Sequence, residues 1–170
     1  MQLSRRSVVG LAAGGAVLAG LGGGAAVVGA WWQVPAGAGF AVLSEDEAAV
    51  VRAWAGAAFP PGAACPVDGA TAGLDRFFDG VLAGLPPLQR DLLKLLLHAI
   101  DTGAVALEGA RFTALPPAAA RRAFHALVEA ELAEVRGAAL SLTVLLGTGY
   151  TVHPGTVATL SRLHLCGLGA

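Results

Sequence analysis

Charged and aromatic residues are both scarce in this sequence of 170 residues. Asp, Glu, Lys and Arg make up 14% of it and aromatic residues 6%, and there are only two cysteines. Eleven basic residues against twelve acidic ones leave a net charge of −1, which does not suit a protein that neutralises phosphates, so we expect no nucleic-acid partner. Two cysteines are too few for a disulfide-dense scaffold, and the sequence has no Cys-x-x-Cys-His motif for covalent haem.

Apolar residues are abundant. Hydrophobic residues form 55% of the sequence and the mean hydropathy is +0.67, which excludes an intrinsically disordered chain. The length fits one domain, or one domain with an appendage.

The first 32 residues have the layout of an export signal. Ser4, Arg5 and Arg6 are followed by Ser7 and two valines, and this start resembles the twin-arginine motif. An apolar run then extends from Val8 to Trp32, and its many glycines keep it only mildly hydrophobic. We therefore expect residues 1–32 to engage the twin-arginine translocase and to place the protein in the periplasm or on the outer face of the cytoplasmic membrane.

The sequence allows this segment either to be cleaved after export or to be retained as a membrane anchor. About 20 apolar residues can span a bilayer, and Trp31-Trp32 would suit a membrane interface, so residues 8–32 could remain as an anchor. Val28-Gly29-Ala30 and Ala36-Gly37-Ala38 both carry small residues where a signal peptidase requires them.

The remaining sequence predicts an all-α protein. Residues 33–43 form a predicted linker and residues 44–170 a helical domain, a small irregular bundle of about five to six helices, with no alternating strand pattern longer than four residues. Residues 102–115 are predicted to be irregular, with Phe112 buried. The first predicted helix begins at Ser44, which forms a capping box with Glu47, and ends at Ala58. Three further helices are predicted at 74–85, 88–101 and 156–165. Another begins at Pro116-Pro117 and extends to Leu146, either straight through Gly137 or with a kink there.

The helix over 88–101 is apolar nearly all round, which predicts that it is buried on most sides and lies at the centre of the fold. Gly147 to Tyr150 are expected to break the preceding apolar stretch.

Catalytic chemistry is hard to find in the domain. His98 with Asp101 and His125 with Glu129 are spaced to share a helix face, but the Glu-x-x-His pairs of carboxylate-bridged di-metal bundles do not occur. There is no Gly-x-Ser-x-Gly motif and no phosphate-binding loop. We expect no catalytic, metal or cofactor site in this chain, and an exported metalloprotein using these histidines is the enzymatic alternative.

The cysteines and several loop residues carry further predictions. In an oxidising compartment Cys65 and Cys166 could form one disulfide. Apolar and aromatic side chains in loops favour either coverage of the bundle ends or contact with another protein. The candidate partner interface consists of Phe59, Pro60, Pro61, Tyr150, His153 and Pro154.

The ordered set of short motifs resembles the gluconate 2-dehydrogenase subunit 3 family. Beyond the twin-arginine start, the matching segments are Leu43-Ser44-x-x-Glu47, Phe59-Pro60-Pro61-Gly62, Gly73-Leu74-Asp75-Arg76-Phe77-Phe78-Asp79, Phe112-Thr113-x-Leu115, and Tyr150 with His153-Pro154. The family often has two adjacent aromatic residues where this sequence has the single Tyr150.

The resemblance implies a non-catalytic small subunit of a membrane-associated dehydrogenase. The expected partner is a large flavoprotein subunit of the glucose-methanol-choline type, which would hold FAD, and a multihaem cytochrome c is a possible third subunit. The small subunit would provide twin-arginine export and assist the folding or stability of the catalytic subunit. The alternative without an oxidoreductase partner is a membrane-anchored structural protein.

Overall fold

A computed structural model describes residues 34–62 and 66–165, with side chains up to residue 159. Within these residues the chain contains six α-helices, one turn of 3-10 helix and no strand, which confirms the all-α prediction for this part. The predicted signal or anchor helix lies outside the described residues. The helices are α1 (Glu45–Ala58), α2 (Leu74–Ala83), α3 (Pro87–Glu108), α4 (Pro117–Val128), α5 (Ala133–Thr151) and α6 (Pro154–Leu165), and the 3-10 turn spans Phe112–Ala114.

Helix α1 begins at the predicted capping box. The Glu47 backbone N–H donates to Ser44 Oγ over 3.2 Å, and the Ser44 N–H donates to Glu47 Oε2 over 2.8 Å. Each side chain thus satisfies a backbone donor that the first helical turn leaves unpaired. The helix ends before Phe59, as predicted, because two prolines follow.

Helix α1, and not α3, lies at the centre of the fold. Trp54 on α1 is fully buried between the rings of Phe112 and Phe124, at centroid distances of 5.4 and 4.9 Å. Its indole N–H donates to Thr143 Oγ1 of α5 over 3.2 Å. The prediction that α3 is buried on most sides is wrong, because only one face of α3 packs on α1 and leaves Leu88 70% and Leu92 55% exposed.

Helix α3 is also longer than predicted. It continues through Gly103 and ends at Gly109, whose φ of 80° suits a glycine cap. A glycine inside a helix costs only about 1 kcal/mol relative to alanine, and the burial of Ala104 in the next position offsets that cost. The predicted irregular stretch is thus confined to the residues after Glu108, where Phe112 is buried as expected.

The break between helices α4 and α5 lies at a different place from the predicted one. The chain leaves helical structure between α4 and α5 and not after Leu146, and α5 continues through Gly147 and Gly149. A Cβ atom on Gly149 would lie 2.5 Å from the Phe77 ring of α2. Gly149 therefore serves the close approach of two helices, and the expectation that it breaks the helix is wrong.

The segment that precedes α1 is attached to α2. The Asp79 carboxylate accepts hydrogen bonds from the backbone N–H groups of Ala41, Val42 and Leu43 over 2.8 to 2.9 Å. Burial raises the pKa of Asp79, but these three bonds and the nearby Arg76 outweigh that effect and hold the pKa below its ordinary value. The carboxylate therefore stays ionised and fixes the chain as it enters α1.

Candidate functional site

A cluster of ionisable side chains joins α1 to α3. Glu47 is 1% exposed, and its Oε2 lies 3.3 Å from Lys94 Nζ while its Oε1 lies 3.1 Å from His98 Nε2. Lys94 is also buried and approaches the Val42 carbonyl oxygen at 3.4 Å. The capping glutamate of α1 therefore also anchors two side chains of the neighbouring helix.

The electrostatic balance of this cluster favours an ionised Glu47. Burial, the largest influence, raises the pKa of its carboxyl group. Hydrogen bonds from His98, the Ser44 backbone and Lys94, together with the charge of Lys94, act in the opposite direction and leave the pKa below its ordinary value. Such a carboxylate is an acceptor for its neighbours and does not donate a proton near neutral pH.

A shallow cleft of about 190 Å³ lies beside this cluster. His98 lines it together with Asp101, whose carboxylate accepts from the Thr113 backbone N–H at 3.0 Å and from the Thr113 hydroxyl at 2.9 Å. His98 and Asp101 share a helix as predicted, and the structure also places Glu47 of α1 within hydrogen-bond distance of the His98 ring. Asp101 holds the 3-10 turn that follows α3.

The second predicted histidine pair lies at the surface. His125 Nδ1 and Glu129 Oε1 are 3.8 Å apart at the exposed end of α4. Among the side chains that the structure describes, at residues 34–62 and 66–159, no group of three or more His, Cys, Asp and Glu is arranged to hold a metal ion.

The two halves of the predicted partner interface meet in the structure. The Phe59 and Tyr150 rings stack with centroids 4.6 Å apart and planes 9° from parallel. The Tyr150 hydroxyl donates to the Val67 carbonyl oxygen at 2.6 Å and accepts from the Val67 N–H at 3.3 Å. Tyr150 is only 5% exposed, so it attaches the loop after α1 to the end of α5 and offers little of its own surface.

The other predicted interface residues surround this stacked pair. Pro60 is half-buried, while Pro61 and Pro154 are exposed. His153 is half-buried, and its Nδ1 accepts from the Gly155 N–H at 3.1 Å as α6 begins. Pro61 and Pro154 are therefore the most exposed residues of the predicted interface.

Exposed apolar side chains on α5 and α6 were not singled out by sequence. Leu140 and Val144 lie four residues apart on one face of α5, and Val144 is 66% exposed. Val152 and Val157, on either side of the start of α6, are exposed as well. The stretch from Ala138 to Leu146 is largely apolar, but the sequence does not reveal which of its faces meets the core.

The remaining predicted residues lie outside the part of the chain that the structure describes. They are Ser4, Arg5 and Arg6 of the targeting motif and the two cysteines, Cys65 and Cys166. The targeting role and the disulfide stay predictions. Among the helices that are described, none is both long enough and apolar enough to cross a membrane.

Comparison with protein-family models, with curated proteins and with solved structures gave no match.

Proposed function

We propose that this protein is the non-catalytic small subunit of a membrane-associated, FAD-dependent dehydrogenase of the glucose-methanol-choline type. It provides the twin-arginine signal for a catalytic subunit that has none and supports the folding or stability of that subunit. FAD belongs to the partner, and haem c belongs to a cytochrome subunit where one is present.

The observation that carries the proposal is the start of the sequence. Arg5 and Arg6 stand before a mildly hydrophobic, glycine-rich run that leads into a helical domain. The twin-arginine route transports folded proteins, and a chain that carries this signal can take a bound partner with it. The ordered motifs that resemble the gluconate 2-dehydrogenase subunit 3 family support a flavoprotein as that partner.

The surroundings of the buried ionisable groups favour an accessory role. Glu47 is bound by Lys94 and His98, and Asp79 is bound by three backbone N–H groups. Both carboxylates have pKa values below their ordinary ones, whereas a general acid or base working near neutral pH needs a pKa shifted toward 7.

The docking part of the proposal rests on the surface around the stacked Phe59 and Tyr150 rings. Pro61 is exposed two residues after Phe59, and Pro154 and Val152 are exposed just after Tyr150. Apolar side chains held by a rigid support are favourable in the core of an interface, since little conformational entropy is lost when they are covered.

The targeting role is tested by replacing Arg5 and Arg6 with lysine in cells of the source organism, where the activity of membrane-associated flavoprotein dehydrogenases is measured on both sides of the cytoplasmic membrane. We expect dehydrogenase activity outside the cytoplasm to be lost while the activity inside remains. The matched control replaces the exposed adjacent pair Arg121 and Arg122 of α4 with lysine, which makes the same chemical change outside the signal. Undiminished exported activity in the first variant would refute the carrier role.

The docking surface is tested by the double variant Pro61→Asp and Pro154→Asp, which places charges on the exposed prolines. Aspartate suits the first turn of a helix, so Pro154→Asp should not disturb α6. We expect the flavoprotein to stop co-purifying, whereas Ala118→Asp in the exposed first turn of α4 should leave co-purification intact. Stoichiometric iron or zinc in the purified chain would instead favour the metalloprotein alternative.

A further inference from the structure

Helix α3 carries a second apolar stripe, on the face that is turned away from the core. Its members follow one another at alternating intervals of four and three residues, and they are Leu88, Leu92, Leu95, Ala99, Thr102 and Ala106. This spacing is the heptad pattern of helices that pack against each other along their length. The core is met by a different set of α3 residues, which includes Leu97, Ile100 and Ala104. We call the first set the outer stripe.

The outer stripe is largely uncovered in the part of the chain that the structure describes. Leu88 and Leu92 are 70% and 55% exposed, and Thr102 and Ala106 are exposed as well. Leu95 and Ala99 are half-buried, but neither belongs to the core cluster. Large apolar side chains that lie together in water mark a surface that another molecule covers.

The one polar side chain of the outer stripe already has a hydrogen-bond partner. The Thr102 hydroxyl donates to the His98 carbonyl oxygen over 2.7 Å, within α3 itself. Covering Thr102 therefore leaves no unpaired donor. The outer stripe contains no ionisable side chain, so it can be removed from water without burial of a charge.

Large and small residues are segregated along the outer stripe. Its first half carries three leucines, and its second half carries Ala99, Thr102 and Ala106. In an antiparallel pair of α3 helices, each large residue of one copy meets a small residue of the other, and Leu92 for example faces Thr102. Such layers interdigitate and keep the two helices at an even distance. A parallel pair would place leucine on leucine at one end and alanine on alanine at the other.

The area of this face is sufficient for a weak dimer. The helix from Leu88 to Ala106 is about 28 Å long. Half the surface of a cylinder of that length and about 10–12 Å in diameter is about 440–530 Å², so two copies would bury about 900–1,050 Å². This is close to the minimum of about 1,000 Å² for a specific interface, and the dimer should therefore form and dissociate with concentration.

We propose that this protein forms a homodimer with twofold symmetry through the outer stripe, with the two α3 helices antiparallel. The symmetry makes the contacts reciprocal, so Leu92 of each copy faces Thr102 of the other. This inference goes beyond the proposed function and does not depend on it, because the outer stripe shares no residue with the surface at which the flavoprotein is proposed to dock.

Sedimentation velocity of the purified full chain over a series of concentrations tests the association. We expect a monomer–dimer equilibrium. Leu92→Glu should raise the dimer dissociation constant at least about tenfold, because symmetry buries the new charge twice. Val144→Glu is the matched control, since Val144 is 66% exposed on α5 and lies outside the outer stripe, and it should leave the dissociation constant unchanged.

Far-ultraviolet circular dichroism checks that both variants fold. A chain that is monomeric at every concentration would overturn the proposal. Association that Leu92→Glu does not weaken would also overturn it, because another surface would then join the two copies. A monomeric chain that loses the flavoprotein on Leu92→Glu would assign the outer stripe to that partner and refute the homodimer.

Mild oxidation of cysteine variants tests the antiparallel arrangement. The background carries Cys65→Ser and Cys166→Ser, so that only the introduced thiols react. Leu92→Cys chains mixed with differently tagged Thr102→Cys chains should form a heterodisulfide, because the two positions face each other. Leu92→Cys chains alone should cross-link poorly, since their thiols lie about 15 Å apart along the helices.

Leu92→Cys mixed with Val144→Cys measures cross-linking by random collision. Cross-linking of Leu92→Cys with Thr102→Cys that does not exceed this level would refute the arrangement. Efficient cross-linking of Leu92→Cys chains with one another would show a parallel pair and would refute it as well.

These results are separable from failure of the proposed function. A dimeric chain whose export does not depend on Arg5 and Arg6 would refute the carrier role and leave the homodimer intact. A monomeric chain that carries the flavoprotein out of the cytoplasm would do the reverse.

Discussion

Replacing Glu47 with alanine should destabilise the domain more than any change to the other acidic residues of the first turn of α1. The variant leaves the Ser44 N–H without its side-chain acceptor and leaves Lys94 and His98 without their carboxylate partner. Removing one member of a buried ion pair costs about 3–5 kcal/mol, because the remaining charge is buried without compensation. Domains of this size have a total stability of about 5–15 kcal/mol, so a large part of it would be lost.

The assay is urea unfolding of the full chain followed by far-ultraviolet circular dichroism, with the free energy of unfolding compared between variants. Glu47→Gln keeps one acceptor oxygen but loses the charge, and we expect an intermediate loss. Glu45→Gln is the matched control, since Glu45 occupies the same helical turn and is exposed. It shares the interaction with the helix dipole but not the contacts to α3, so its effect should be much smaller.

The pH dependence gives a second measurement on the same group. The pKa of Glu47 is lower in the folded state than its ordinary value of 4.5. The associated stability is fully present above about pH 4.5 and is lost as the pH falls through the lower, folded-state pKa. Glu47→Gln should therefore flatten the acid limb of the stability curve. If Glu47→Ala destabilised the chain no more than Glu45→Gln did, the cluster would not hold α1 and α3 together.

Two further predictions concern α5 and the loop that it supports. Gly149→Ala should destabilise the protein by about 1–3 kcal/mol, because the added methyl group would collide with the Phe77 ring. Gly137→Ala in the same helix has open space and should stabilise the protein by about 0.5–1 kcal/mol. Thermal unfolding compares the two variants, and equal effects would contradict the close approach of α2 and α5. Tyr150→Phe should lower the free energy of unfolding by about 1–2 kcal/mol, because it leaves both backbone groups of Val67 without their hydroxyl partner. Limited proteolysis should then detect faster cutting in the loop after α1. An unchanged digestion pattern would show that the hydroxyl does not hold this loop.

Local sequence signals predicted the helix starts better than the helix ends. The Ser44 capping box and the prolines before α3 and α4 act within one turn, so they can be recognised without knowledge of the fold. Gly149 meets the Phe77 ring of α2, and a tertiary contact of this kind overrides the low helical propensity of glycine. Gly103 has open space beside it, and the helix continues through it at a cost of only about 1 kcal/mol. The break between α4 and α5 has no glycine or proline at residues 129–132 to mark it.

In the candidate site, too, the sequence indicated individual residues but not their contacts between helices. Phe59 and Tyr150 were selected separately as loop residues that favour burial, but their stacking joins the end of α1 to the end of α5 and could not be read from spacing. The spacing predicts a pairing of His98 with Asp101 of the same helix, whereas the ion pair in the structure joins His98 to Glu47 of α1. Pairings between helices depend on how the faces meet, and a single sequence does not contain that information.

The central place of α1 has a consequence for synthesis. Trp54 is enclosed by side chains of α4 and α5, which leave the ribosome long after α1 does. At roughly 5–20 residues per second, α5 follows the first 33 residues by about 5 to 25 s. During that interval the proposed export signal has already left the ribosome while Trp54 still lacks Phe124 and Thr143, so a receptor that bound the signal at once would hold an incomplete domain. If residues 1–32 are the export signal that we propose, export of a folded domain therefore requires that the signal is recognised only after α5 is complete.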